Sequence, residues 1–190
     1  VKEAVATSGT AMTENHLKIL SRLTSDIRLA YDGDEAGVKA AERAIMLAGK
    51  IGISLSVISG YGQAKDPDEL IKIDKNLWTA NGDGIDPKLW QKCGEDRMPA
   101  VEWILKKYET KLNLMTGPGK KEYSDLAMKI ISYIEDPVEK KHYEQMVARK
   151  LDVTVEDLQA KKIQVETVRL KPVVTKGQGE VFDEASEVLN

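Results

Sequence analysis

The stretch Ile27-Arg28-Leu29-Ala30-Tyr31-Asp32-Gly33-Asp34-Glu35-Ala36-Gly37-Val38 decides the fold. Ile27, Leu29 and Tyr31 alternate with Arg28 and Ala30, the period-two pattern of a strand with one buried face. The alternation stops at Asp32-Gly33-Asp34. From about Glu35 to Ala48, Ala36, Ala40, Ala41, Ala44, Ile45 and Ala48 recur on a helical period. So many small residues predict a helix packed closely on a sheet, ended by Gly49 or Gly52.

The same rhythm extends in both directions. Upstream, Val5-Ala6-Thr7 reads as a short strand entering the turn Ser8-Gly9-Thr10. Thr13 then caps a helix carrying Leu17, Leu20 and Leu23, with Glu14 in its first turn. Downstream, Ile53 to Ser59 reads as a third strand, followed by the loop Gly60-Tyr61-Gly62. Asp66-Pro67-Asp68-Glu69 opens another helix: an Asp cap, Pro at the first helical position, Glu three residues after the cap. Strands alternating with helices predict a βαβαβ unit with a parallel sheet and right-handed crossovers.

In such a sheet, ligands gather at the carboxyl ends of the strands. Thr7-Ser8-Gly9-Thr10, Asp32-Gly33-Asp34 and Lys65-Asp66-Pro67-Asp68 each follow a strand, so the three clusters are expected along one edge. Asp32 and Asp34 flank a glycine and can reach one region. Clustered carboxylates repel one another, and a hard cation such as Mg²⁺ or Mn²⁺ relieves that repulsion. A lone D-x-D is nevertheless common in turns and caps. Asp34 can equally cap the Ala-rich helix, Asp66 caps its own helix, and Thr7 and Thr10 can be turn residues.

Ala6-Thr7-Ser8-Gly9-Thr10-Ala11-Met12-Thr13, Tyr31-Asp32-Gly33-Asp34-Glu35-Ala36-Gly37 and Lys65-Asp66-Pro67-Asp68-Glu69 stand in this order and spacing. Together they closely resemble the Toprim region of bacterial DnaG-type DNA primases, and the resemblance runs on to about residue 163. It implies metal-dependent nucleotidyl transfer that makes short RNA primers on a single-stranded DNA template from nucleoside triphosphates. By resemblance, Asp32 and Asp34 match the metal-binding, catalytic D-x-D, and Asp66 and Asp68 match further acidic positions lining the site. Lys65, with Thr7, Gly9 and Thr10, would lie beside nucleotide or template. The family's E-G-x-x-D motif, whose Glu is a metal ligand and proposed acid/base group, lies upstream of the first of these segments and is absent here. The chain opens Val1-Lys2-Glu3. The expectation is therefore a piece of a longer primase with an incomplete metal site, an exposed sheet edge and no primer synthesis of its own. A noncatalytic nucleic-acid- or partner-binding module on the same scaffold is the alternative.

The second half reads as helical. Pro99 starts a helix with Val101, Ile104, Leu105, Tyr108 and Leu112 on one stripe. After Thr116-Gly117-Pro118-Gly119, a second carries Tyr123, Leu126, Ala127, Ile130, Ile131 and Ile134. Asp136-Pro137 starts a third with Val138, Tyr143, Met146 and Val147, and Thr154 caps a last short one. Short connections predict a bundle, which in the resembling family is the third subdomain of the polymerase core. The expected class is thus α/β plus all-α, a partial parallel-sheet Toprim fold followed by a small helical bundle. Its expected divisions are a Toprim region at 1–75, a connecting segment at 76–98, the bundle at 99–164, and a linker or tail at 165–190. The family's helicase-interacting domain is expected beyond that tail, so contact with the replicative helicase is assigned outside the chain.

Composition adds exclusions. The chain has 190 residues, 28 Lys+Arg against 31 Asp+Glu, and a net charge of −3. The three segments 1–74, 75–164 and 165–190 carry −2, +1 and −2, so no segment is a polycation. No apolar run reaches the roughly 18 residues of a membrane span. One cysteine, Cys93, rules out an internal disulfide and a multi-Cys zinc site, and a reducing, cytoplasmic setting is expected. Lysine pairs such as Lys106-Lys107, Lys120-Lys121 and Lys140-Lys141 read as solvated helix faces. Asn81-Gly82-Asp83-Gly84-Ile85-Asp86 approaches a calcium loop but lacks the closing Glu, so a surface loop is expected. His16 and His142 read as surface or packing residues.

Overall fold

The structure, a computed structural model, describes residues 4–7, 12–58, 69–70 and 92–160. The elements in chain order are α1 (Glu14–Ser21), β1 (Ile27–Leu29), α2 (Glu35–Gly49), β2 (Leu55–Ile58), β3 (Arg97–Pro99), α3 (Ala100–Lys111), α4 (Gly117–Ile131) and α5 (Pro137–Leu151). Residues 155–160 are also helical.

The sheet has strand order β1-β2-β3. β1 and β2 are parallel, with Ile27 opposite Leu55 and Leu29 opposite Val57. Helix α2 makes the crossover between them, as the alternation predicts. Those four residues share one buried face. β3 is antiparallel to β2, with Met98 opposite Val57. The sheet is therefore mixed rather than wholly parallel. Arg97-Met98-Pro99 gives no strand signal: it is short, and its proline is tolerated because β3 lies at an edge. At the other edge, β1 has no second partner among the described residues. Val5-Ala6-Thr7, expected as a strand, is irregular, and Val5 is 75% exposed. Val5 and Ala6 are both exposed, so the stretch buries no apolar face of the kind that orders a strand.

Helix α2 buries Val38, Ala41, Ala44, Ile45 and Ala48. Its small residues allow close packing against α3, and at its end a Cβ on Gly49 would lie 2.0 Å from the Tyr133 carbonyl oxygen. That approach ties α2 to the turn after α4. Helices α3, α4 and α5 pack in sequence around Trp103, Ile104, Leu105, Tyr123, Ile130, Ile131 and Val147. Each helix start is capped or proline-led. The Thr116 and Asp136 side chains accept backbone N–H bonds at the starts of α4 and α5, and Pro99 precedes α3. Thr154 and Asp157 cap each other's backbone N–H groups at 3.1 Å, the reciprocal arrangement expected before a helix. Val138, expected on the buried stripe, is 77% exposed because the stripe of α5 begins only at Tyr143. No helix among the described residues is long and apolar enough to cross a membrane.

Candidate metal and nucleotide site

Asp32, Gly33 and Asp34 follow the carboxyl end of β1, all three exposed. Just before them, half-buried Tyr31 has its phenol pushed above the usual range by desolvation. Asp34 is the N-cap of α2: its Oδ1 accepts the Gly37 N–H at 2.8 Å, and its backbone carbonyl accepts from Val38 at 3.1 Å. Gly37 has a second duty. A Cβ there would sit 1.9 Å from the Asp32 carbonyl oxygen, so only glycine lets the Asp32 backbone rest on the first turn of α2. The Asp34 carboxylate and the Asp32 backbone are thereby held at one helix start. The Asp32 side chain makes no hydrogen bond or ion pair to another described residue.

Positive charge lies close by. Glu35 pairs with Lys39 at 2.9 Å on an exposed helix face. Its carboxyl is held below the usual range first by the hydrogen bond from Lys39, then by Lys39 and Lys111 charges. Lys111, at the end of α3, was missed by the sequence reading. No local pattern links it to α2; only the packing of α3 on α2 brings it near.

Of the other residues assigned to this site, Thr7 is half-buried in the irregular segment 4–7. Gly9, Thr10, Lys65, Asp66 and Asp68 lie outside the described residues, as does the Asn81–Asp86 segment. Among the described residues, no group of three or more His, Cys, Asp or Glu could hold a metal ion. The donor set of Asp32 and Asp34 is thus two carboxylates, with one oxygen committed to the cap. Such a hard, sparse set fits Mg²⁺, which keeps several waters and uses one or two carboxylates.

Other chemical candidates are accounted for by structure. Cys93 is buried, and its thiol is pushed up chiefly by desolvation and then by the Asp96 charge, so it is no ready thiolate. His16 accepts the Thr13 N–H through Nδ1 at 3.4 Å and completes the cap of α1. Lys106 pairs with Glu102 at 2.8 Å, Lys150 with Glu109 at 2.6 Å, and Lys120 donates to the Leu151 carbonyl at 2.7 Å.

Two family descriptions match this chain: Toprim-like over residues 1–71, and DnaB-helicase binding domain of primase over residues 101–156. A DNA primase of Listeria innocua is 29% identical over 159 residues, 83% of this chain and 24% of the relative. Along most of its length the chain resembles DNA primases. A DNA primase of Campylobacter jejuni is 43% identical over 70 residues, 36% of this chain and 11% of that one. The solved DnaG primase catalytic domain bound to ssDNA has the same fold, with TM-score 0.59 and 23% identity over 78% of this chain and 44% of that chain. The mixed Toprim-like sheet with its helical companion is the primase-core architecture. The chain spans about a quarter of the length of the curated primases it matches. One expectation changes: the description naming helicase binding falls on residues 101–156, the α3–α5 bundle, rather than beyond the chain.

Proposed function

We propose that the chain forms the Toprim and helical parts of a primase catalytic core that makes short RNA primers on single-stranded DNA. The observation carrying this reading is the D-x-D pair at the carboxyl end of β1, anchored on α2, in a chain that resembles DNA primases along most of its length. Asp32 and Asp34 would hold Mg²⁺ or Mn²⁺. Such an ion, when bound, offsets phosphate charge and orients the groups of an in-line displacement. The chain's own contribution is positional. The Asp34 cap bond restricts its carboxylate, and the close seat of Asp32 against Gly37 fixes the Asp32 backbone beside it before any ligand arrives. Asp66 and Asp68 would add acidic groups, Lys65 would neutralise nucleotide or template phosphate, and Thr7, Gly9 and Thr10 would line the same edge. Template and nucleoside triphosphates are the substrates in this reading, the replicative helicase is a partner through α3–α5, and the setting is the cytoplasm. The resemblance to DNA primases over 83% of the chain favours this over a noncatalytic module.

The test is Mn²⁺ titration of the chain followed by amide NMR. Paramagnetic broadening should centre on Asp32–Gly37 and be lost in Asp32→Asn. Broadening confined to Asn81–Asp86, or unchanged in Asp32→Asn, would remove the metal assignment.

A further inference from the structure

A concavity lies at the opposite end of the sheet from Asp32 and Asp34. It has a volume of about 440 Å³ and is bounded by the amino ends of β1 and β2, the end of β3, the start of α3 and the 133–136 turn. Its floor includes the buried residues Ile45, Leu55 and Val101. Glu135 and Glu139 stand in its wall, and neither carboxylate has an ion pair or hydrogen bond to another described residue. Asp26 and Arg97 also line it, but they are paired in an ion cluster that Arg28 shares. Asp136 is committed to the cap of α5, accepting from Val138 at 2.9 Å and Glu139 at 2.7 Å.

An acidic wall alone specifies nothing. The deciding feature is Tyr143. It lines the same cavity, is only 4% exposed, and its hydroxyl has no hydrogen bond to any described residue. Buried hydroxyls are almost always satisfied, so an unpartnered one on a residue lining a cavity marks a place where a guest could supply the missing bond. Burial and the charges of Glu139 and Glu102 push its phenol up to about 12, so it is present as O–H at neutral pH.

From these observations we propose that the cavity is a binding site for an organic cation with an apolar stem, a guanidinium or ammonium on a short alkyl chain. The stem would lie on Ile45, Leu55 and Val101. The cationic head would donate to Glu135 and Glu139, with the Tyr143 oxygen as a further acceptor. A carboxylate pair without a protein cation and an unsatisfied hydroxyl are what such a head needs. An anion is disfavoured by the two free carboxylates. The inference uses none of the residues assigned to metal or nucleotide, so it stands or falls separately from primer synthesis.

The chemistry can come from a free small cation or from an arginine or lysine presented by a protein, and two probes separate these. Isotope-labelled chain is titrated with n-butylguanidinium, with the neutral isostere n-butylurea, and with the peptide acetyl-Ala-Arg-Ala-amide. The expected result is saturable amide shifts at Leu55–Ser56 and Tyr143 with n-butylguanidinium, with Kd about 1 mM, and no saturation with n-butylurea. The double substitution Glu135→Gln, Glu139→Gln should weaken binding about tenfold, and Tyr143→Phe several-fold. Binding of the peptide as well would assign a protein side chain as the source; binding of the small probe alone would assign a free cation. No saturation by either cation, equal response to n-butylurea, or indifference to the double substitution would overturn the proposal.

Discussion

Replacing Gly37 with alanine perturbs the junction on which the candidate site rests. In an ordinary helix interior, Gly→Ala stabilises by about 0.5–1 kcal/mol. Here the new Cβ would lie 1.9 Å from the Asp32 carbonyl oxygen and 2.9 Å from its carbon. Both neighbours are backbone, so no rotamer change can relieve the overlap. The Asp32–Asp34 turn would have to lift from α2 by roughly 1 Å, and overpacking of this kind costs about 1–3 kcal/mol. The overlap exceeds the propensity gain, leaving a net loss of about 1–2 kcal/mol, or about 3–6 °C in Tm for a chain of this size. Gly117→Ala is the matched control, because nothing lies within 4 Å of a Cβ there and the change should be neutral or mildly stabilising. Urea and thermal unfolding of both variants supply the stability comparison. Mn²⁺ broadening supplies the functional one, since lifting the turn separates Asp32 from Asp34. A Gly37→Ala protein as stable as wild type, with Mn²⁺ broadening intact, would refute the claim that this contact positions the carboxylates.

Two further outcomes follow from individual side chains. Asp34→Ala should lower stability by about 1 kcal/mol through loss of the α2 cap, whereas Asp34→Asn keeps the cap and should leave the unfolding midpoint unchanged while weakening Mn²⁺ binding; equal stability loss in both would contradict the cap. The Asp26 carboxyl is held below the usual range by hydrogen bonds and charge from Arg28 and then Arg97, so its stabilisation is present above the unfolded carboxylate pKa and lost as pH falls through the lower folded value. The stability difference between wild type and Asp26→Asn should therefore shrink with acidification below about pH 4, and a difference that stays constant there would oppose the assignment.

The parts of the molecule legible from sequence are those decided locally. The Ile27–Leu29 alternation, the Asp34 start, the alanine face of α2, and the caps at Thr13, Thr116, Asp136 and Thr154 all involve neighbours within a turn. The three Toprim-like motifs together point to primases, which local patterns alone do not. What stayed hidden depends on distant chain. β3 is a strand only because β2 offers it an edge, and Arg97 is held beside Asp26 with Arg28 in an ion cluster spanning the sheet. Val5 lacks any such partner among the described residues, and its apolar character misled the strand assignment. The candidate site was half visible: the D-x-D and its position at a strand end were readable. That one Asp34 oxygen is spent on the helix cap, and that Gly37 exists to admit the Asp32 carbonyl, needed coordinates.

The central claim is that Asp32 and Asp34 carry metal-dependent nucleotidyl transfer. It is tested most directly by Mg²⁺-dependent ribonucleotide incorporation on single-stranded DNA. The assay would use a full-length primase whose Toprim and helical parts are those of this chain. Asp32→Asn is the informative change, because Asp32 caps no helix and its loss leaves the fold intact. The account predicts that primer synthesis falls to background while the unfolding midpoint is unchanged. Primer synthesis at the unsubstituted rate would contradict it.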